Sequence, residues 1–169
     1  FDVSIVNIEG PVTEVVASHG NNHLGGDDFD RLIIDHAADV FKTEHDVDLR
    51  DDPRAASRLR RAAEAAEKEL SQSPYATIAE EAIITVDGVP RHLKMELSRE
   101  EYEEMIRPLI EKTLESVSTA LSDAGMSPDD IDEVLLARGS TRTPLIQEQL
   151  RQRTGTEPRR DVHPDLCVA

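Results

Sequence analysis

Three short stretches carry side chains whose type and spacing suit ligand chemistry. The first is Gly139-Ser140-Thr141-Arg142-Thr143-Pro144, directly after the apolar run Val134-Leu135-Leu136-Ala137. The run reads as a strand buried on both faces. The glycine reads as a tight turn, and Thr143-Pro144 as a helix start with a hydroxyl free to cap and proline at the first helical position. Such a junction puts backbone N–H groups and a positive dipole end at one sheet edge, where open α/β folds bind phosphate or nucleotide. The second stretch is Gly25-Gly26-Asp27-Asp28-Phe29-Asp30. Its glycines permit tight turns or close approach of a ligand, and its acids suit a helix first turn or ribose hydroxyls better than phosphates. The third is Glu64, Lys68 and Ser71, which lie within two helical turns and share one side. Standing alone, Glu64 and Lys68 at i and i+4 are an exposed helix salt bridge.

Other chemistries find no support. The six histidines (His19, His23, His36, His45, His92 and His163) share no metal-ligand spacing with one another or with Cys167. No strand–turn–helix nucleophile motif and no Ser/His/Asp order is present, which argues against a nucleophilic hydrolase. The single cysteine forms no internal disulfide and fits a reducing, cytoplasmic setting. The formal net charge of −16, from 35 acidic against 19 basic residues, repels nucleic acid and anionic membranes as partners. It also repels ATP over distance, so a nucleotide site here needs local basic groups and a bound cation. No run of about 18 apolar residues is long enough to span a membrane, and no signal peptide is visible.

The elements that must position these residues follow from local pattern. Alternation over residues 1–9 and 12–18 around Gly10-Pro11 predicts a hairpin. Phe29, Leu32, Ile33, Ala37, Val40 and Phe41 predict a helix, and Asp46 to Asp52 a charged loop. Asp52-Pro53 starts a second helix, Arg54–Leu70, whose Ala62, Ala63, Ala66 and Leu70 make a thin apolar side that a helix or a flat ring could approach. Asp87-Gly88 turns a second hairpin between Tyr75–Val86 and Pro90–Leu97. The capping box Ser98-Arg99-Glu100-Glu101 opens the longest helix, to about Ala124, with a kink expected near Pro108. A helix from Pro144 to about Arg153 follows, then a short strand near Arg159–Val162 and a last helix begun by His163-Pro164-Asp165.

Taken together, His23-Leu24-Gly25-Gly26-Asp27-Asp28-Phe29-Asp30, Ala62-Ala63-Glu64…Glu69-Leu70-Ser71, Gly139-Ser140-Thr141-Arg142-Thr143-Pro144 and Pro164-Asp165 resemble the DnaK-type seventy-kilodalton heat-shock chaperone family. The resemblance covers essentially the whole chain, in order and with the family's spacing. It implies an α/β fold: the second lobe of an actin-like ATPase (ribonuclease H-like) domain, with an inserted α+β subdomain. Residues 1–25 and 127–169 would form the larger sheet subdomain, 26–96 the smaller inserted one, and 97–126 the connecting helix. By the same resemblance, Glu64, Lys68, Ser71 and Arg142 would hold adenine and ribose. Gly26 would pass the sugar with Asp27 near its hydroxyls. Gly139 and Ser140 would approach sugar and phosphates, Asp165 would close the adenosine pocket, and Asp2 would lie near bound cations. The implied cofactor is ATP or ADP with magnesium. The implied partners are a nucleotide-exchange factor docking on the smaller subdomain and a first lobe absent from this chain, whose two ends look cut from something longer. With that lobe and its phosphate loops missing, the chain alone is expected not to hydrolyse ATP.

The sequence departs from the family's pattern at defined places. Arg138-Gly139 stands where the family usually has Gly-Gly, so a bulky side chain either crowds the nucleotide or adds a phosphate contact. Glu67 stands where the family usually has Lys, which removes a positive charge from the adenosine side. His163 and Leu166 replace the more usual Asn and Glu beside Asp165. Two other readings remain open on the residues: a non-hydrolysing protein-interaction module on the same fold, favoured by Arg138 and Glu67, and another actin-like phosphotransferase such as a sugar kinase.

Overall fold

Local capping and small side chains account for most of the smaller part of the molecule. The computed structural model describes residues 1–21, 24–137 and 143–159. The chain divides into two compact units, Gly26–Ile106 and Phe1–Gly25 with Arg107–Ala169.

In the Gly26–Ile106 unit, helix α1 (Gly26–His45) and helix α2 (Pro53–Leu70) pack together, and α2 also packs on strand β3 (Tyr75–Val86). The start of α2 is set by Asp52, whose carboxylate accepts from the backbone N–H of Arg54 (2.9 Å) and Ala55 (2.8 Å), with Pro53 at the first helical position. Ala55, Leu59, Ala63, Ala66 and Leu70 are buried along one side. From α1 they meet a stripe of Phe29, Ile33, Ala37, Ala38 and Phe41. The segment expected as a plain charged loop contains a 3-10 turn, Leu49–Asp51. Leu49 drops completely into the core. Arg50 then gathers Asp35 (3.0 Å), Asp39 (2.5 Å) and Asp48 (2.8 Å), and this holds the Asp48 carboxyl well below the usual range.

Strands β3 and β4 (Val89–Ser98) form an antiparallel hairpin closed by Asp87-Gly88, both with positive φ, as a primed two-residue turn requires. The register slips between Glu80 and Ile84, where Ala82 takes a φ of 46°. This irregularity is gripped from α2. Arg58 donates to Glu80 (2.6 Å) and to the carbonyls of Glu81 (2.7 Å) and Ala82 (2.8 Å), while the Ala82 N–H donates to His92 Nδ1 (3.1 Å). Helix α3 (Arg99–Ala124) opens on the predicted capping box. Ser98 N–H and Oγ both donate to Glu101, at 3.0 and 2.6 Å, and Glu101 N–H returns a bond to Ser98 Oγ at 3.2 Å. The helix runs unbroken through Pro108.

In the other unit, strands β1 (Asp2–Glu9) and β2 (Val12–Gly20) pair antiparallel across the predicted turn, with a register shift between Ile5 and Val6. Ile5 is buried, whereas Val6, Ile8, Val12, Val15 and Val16 are exposed. The run Val134–Ala137 is not the doubly buried strand its composition suggested. It makes a single parallel bridge, Leu135 to Arg159, with Leu136 N–H on the Arg159 carbonyl (2.9 Å) and Arg159 N–H on the Val134 carbonyl (2.8 Å). Leu135 is 45% exposed. It joins no further ladder among the described residues. Helix α4 (Pro144–Thr154) begins where predicted, but Thr143 caps through its backbone carbonyl, which accepts from Ile146 N–H (3.1 Å). Its hydroxyl is buried and makes no capping bond.

Arg58→Ala removes four hydrogen bonds that fix the β3 irregularity, two to the Glu80 carboxylate and one to each of the Glu81 and Ala82 carbonyls. Unfolding should become easier by about 1–3 kcal/mol, with faster hydrogen exchange at the Ala82 amide. Unchanged exchange there would show that the hairpin holds its bulge without α2.

Candidate functional site

The candidate residues of the Gly26–Ile106 unit converge where the start of α1 lies beside the second half of α2. Gly26 is the first residue of α1 and Asp27 its first acid, exposed at the helix N-terminus. Neither Gly25 nor Gly26 takes a left-handed φ, and a Cβ at Gly25 would meet nothing within 4 Å. The chain's own fold therefore does not demand glycine at Gly25, which leaves open space beside the helix start.

On α2, Glu64 and Lys68 form a 2.6 Å ion pair with both side chains about half exposed or more, at 49% and 67%. The ammonium holds the Glu64 carboxyl below its ordinary value, and the carboxylate raises Lys68. Ser71 caps the helix end, its Oγ donating to the Glu67 carbonyl at 3.2 Å. Glu64, Lys68 and Ser71 thus follow one another along the outer side of the helix, a carboxylate, an ammonium and a hydroxyl in a row. Of the two occupants the alanine side could take, a helix or a flat ring, the helix is the one present, because Ala63 and Ala66 are buried in the core. The usable surface is the polar side.

Two acids behind this surface were read in the sequence without their burial being foreseen. Glu67 is only 8% exposed, and its Oε1 is sealed from solvent without a hydrogen-bond partner among the described residues. Asp30 of α1 has a sealed Oδ1 in the same condition. Burial, then the Asp30 charge, raises the Glu67 carboxyl; burial, then Glu64 and Asp27, raises Asp30. The available signal was position: Glu67 falls on the same helical side as Ala63, Ala66 and Leu70.

In the other unit, Asp2 opens β1 opposite Gly20 of β2. A Cβ on Gly20 would lie 2.4 Å from Asp2 Oδ1, so the absent side chain at Gly20 gives the carboxylate its place. Gly139, Ser140, Arg142 and Asp165, with Arg138, lie outside the described residues. No group of three metal-ligating side chains occurs among the described residues, and no described helix is long and apolar enough to cross a membrane. A hollow of about 250 Å³ is bordered by Pro74, Tyr75, Ser98, Arg99, Glu100 and Glu103, none of them a candidate.

The donor set on α2 fits a nucleoside. A carboxylate accepts from ribose hydroxyls, an ammonium sits against a purine face, and a hydroxyl serves a ring nitrogen. The whole chain, residues 1–169, matches the family described as "Hsp70 protein". It is 48% identical over 169 residues to the chaperone protein DnaK of Thermosipho africanus (strain TCF52B). All of this chain is covered, and it spans 28% of that relative's length.

Lys68→Ala removes the ion-pair partner that Glu64 has among the described residues. The Glu64 carboxyl should then titrate higher, while the unfolding midpoint moves little because the pair is exposed. Carboxyl NMR through an acid titration reads the first, a thermal melt the second.

Proposed function

The chain belongs to the Hsp70 family, and from that premise we propose that it is the second lobe of the family's nucleotide-binding domain, an actin-like, ribonuclease H-like α/β unit. It supplies the adenosine side of a site for ATP or ADP with magnesium. Glu64, Lys68 and Ser71 hold adenine and ribose, with Gly26 and Asp27 at the sugar. Arg142, Gly139, Ser140 and Asp165 complete the pocket, and Asp2 stands near the cations. Residues 1–25 with 127–169 form the larger subdomain, 26–96 the smaller one and 97–126 the connection. The smaller subdomain also offers the docking surface for a nucleotide-exchange factor, and the protein works in the cytoplasm as part of a chaperone. The observation that carries this reading is the row Glu64–Lys68–Ser71, presented outward on α2 beside the open start of α1.

Phosphoryl transfer needs charge stabilisation and positioning around the whole phosphate chain. One lobe supplies half of that, so the chain by itself binds nucleotide without turning it over. Isothermal titration with ADP and magnesium should give a measurable, weak heat that Lys68→Ala abolishes. ATP incubated with the purified chain should remain intact. Turnover by a chaperone-free sample would sink the one-lobe assignment. A second reading, a protein-interaction module that has lost nucleotide, is favoured by one observation. Glu67 places a buried acid where the family usually carries a cation. Silence at millimolar ADP would select it.

A further inference from the structure

Two acids in the seam between α1 and α2 have no role in holding a nucleoside. Glu67 Oε1 and Asp30 Oδ1 are both closed to water and bonded to nothing among the described residues. An ionised carboxylate in that condition is costly unless a cation joins it. The charged groups acting on the pair are Asp27 from α1 and Arg60, Glu64 and Lys68 from α2. Asp27, Glu64 and the partner acid itself oppose ionisation by adding negative charge around Glu67 or Asp30, while Lys68 and Arg60 act against them. Lys68, the cation that acts on both acids, is engaged with Glu64 at 2.6 Å on the outside of the helix. A metal ion does not fit, since no three metal-ligating side chains converge among the described residues and hard cations need several oxygen ligands. The cation small enough for sealed oxygens is a proton.

We propose that Glu67, backed by Asp30, is a proton-binding site in the α1–α2 seam, and that the seam tightens on proton uptake and loosens on proton loss. The proton comes from solvent and returns to it. A free glutamate releases its proton near pH ~4.3. Burial, then the Asp30 charge, keeps the Glu67 proton bound to higher pH. Between those two points the folded chain holds a proton that the unfolded chain has lost, so stability falls as pH rises and levels off above the folded value. Carboxylates fixed by hydrogen bonds, such as Glu101 on Ser98 and Asp130 on Ser127, act in the opposite sense. Their stabilisation is present above the unfolded value and is lost as pH falls. The Glu67 contribution is therefore read as a difference between two proteins.

The experiment compares thermal unfolding of the whole chain and its Glu67→Gln variant, without ligand, from about pH 4 to about pH 8. Glutamine keeps the volume and cannot ionise, so any constant cost of the amide cancels from the slope. The variant should gain on the wild type by at least about 2 °C across that range. A difference that stays flat or shrinks with rising pH would overturn the proposal. Carboxyl NMR of the wild type decides the matter independently, even if the variant fails to fold. A Glu67 midpoint above the ordinary glutamate range supports the site, and one within or below it removes it. Neither readout depends on nucleotide binding.

Discussion

The alanine seam of α2 sets the geometry of everything around it. Ala55, Ala63 and Ala66 have so little side chain that α1 can approach closely, with Leu59 and Leu70 filling the ends. From the facing side, Ile33, Ala37 and Ala38 are completely buried. On the sheet side, Ala76 and Ile78 of β3 are equally closed. Small residues on both partners leave little freedom to rotate α2 about its axis, because interiors pack to crystal-like density. Once that rotation is fixed, the 3.6-residue repeat decides the rest. Glu64 and Lys68 point to solvent and Glu67 points inward. The ligand surface and the buried acid are two consequences of one packing choice.

That choice sorts the acids into two kinds. Asp52, Glu101 and Asp130 sit at helix or turn starts, where backbone N–H groups supply the hydrogen bonds. They stay in water and gain from the dipole, so a chain of net charge −16 carries them at little cost. Glu67 and Asp30 have neither water nor N–H donors on their sealed oxygens. Their cost falls on the contact between α1 and α2, which is also the contact that aims the outer row.

How much of this was legible depends on the range of the interaction. Helix starts at Asp52, Ser98 and Thr143 and the turns at Gly10 and Asp87-Gly88 were readable, because each is decided within about four residues. The 3-10 turn at Leu49 was not, because it goes with the burial of one apolar side chain from a charged stretch, which is a tertiary fact. Nor was the β3 irregularity, whose clamp Arg58 is 24 residues away from the Ala82 carbonyl it holds. The apolar run Val134–Ala137 misled for the same reason: burial on two faces belongs to neighbouring layers and cannot be read from the run itself. At the site, the i, i+4 spacing of Glu64 and Lys68 predicted their pairing correctly. Which side of α2 would face outward was a tertiary fact: the alanine side was open to a helix or to a flat ring, and packing in the core settles it for the helix.

The same seam explains why a ligand surface here need not be held by its own polar contacts. The Glu64–Lys68 bond is exposed, screened by salt and free of burial cost, so breaking it to admit a ligand forfeits little. A site whose members were locked in a buried network would have to be dismantled before it could bind. Precision in this arrangement comes from behind, from a helix that cannot turn, and adaptability comes from in front, from long side chains in water. The division has one exposed weakness. A change that spreads α1 from α2 moves Glu64, Lys68 and Ser71 together relative to Gly26 and Asp27, whereas the loss of a single polar side chain leaves the others where they were.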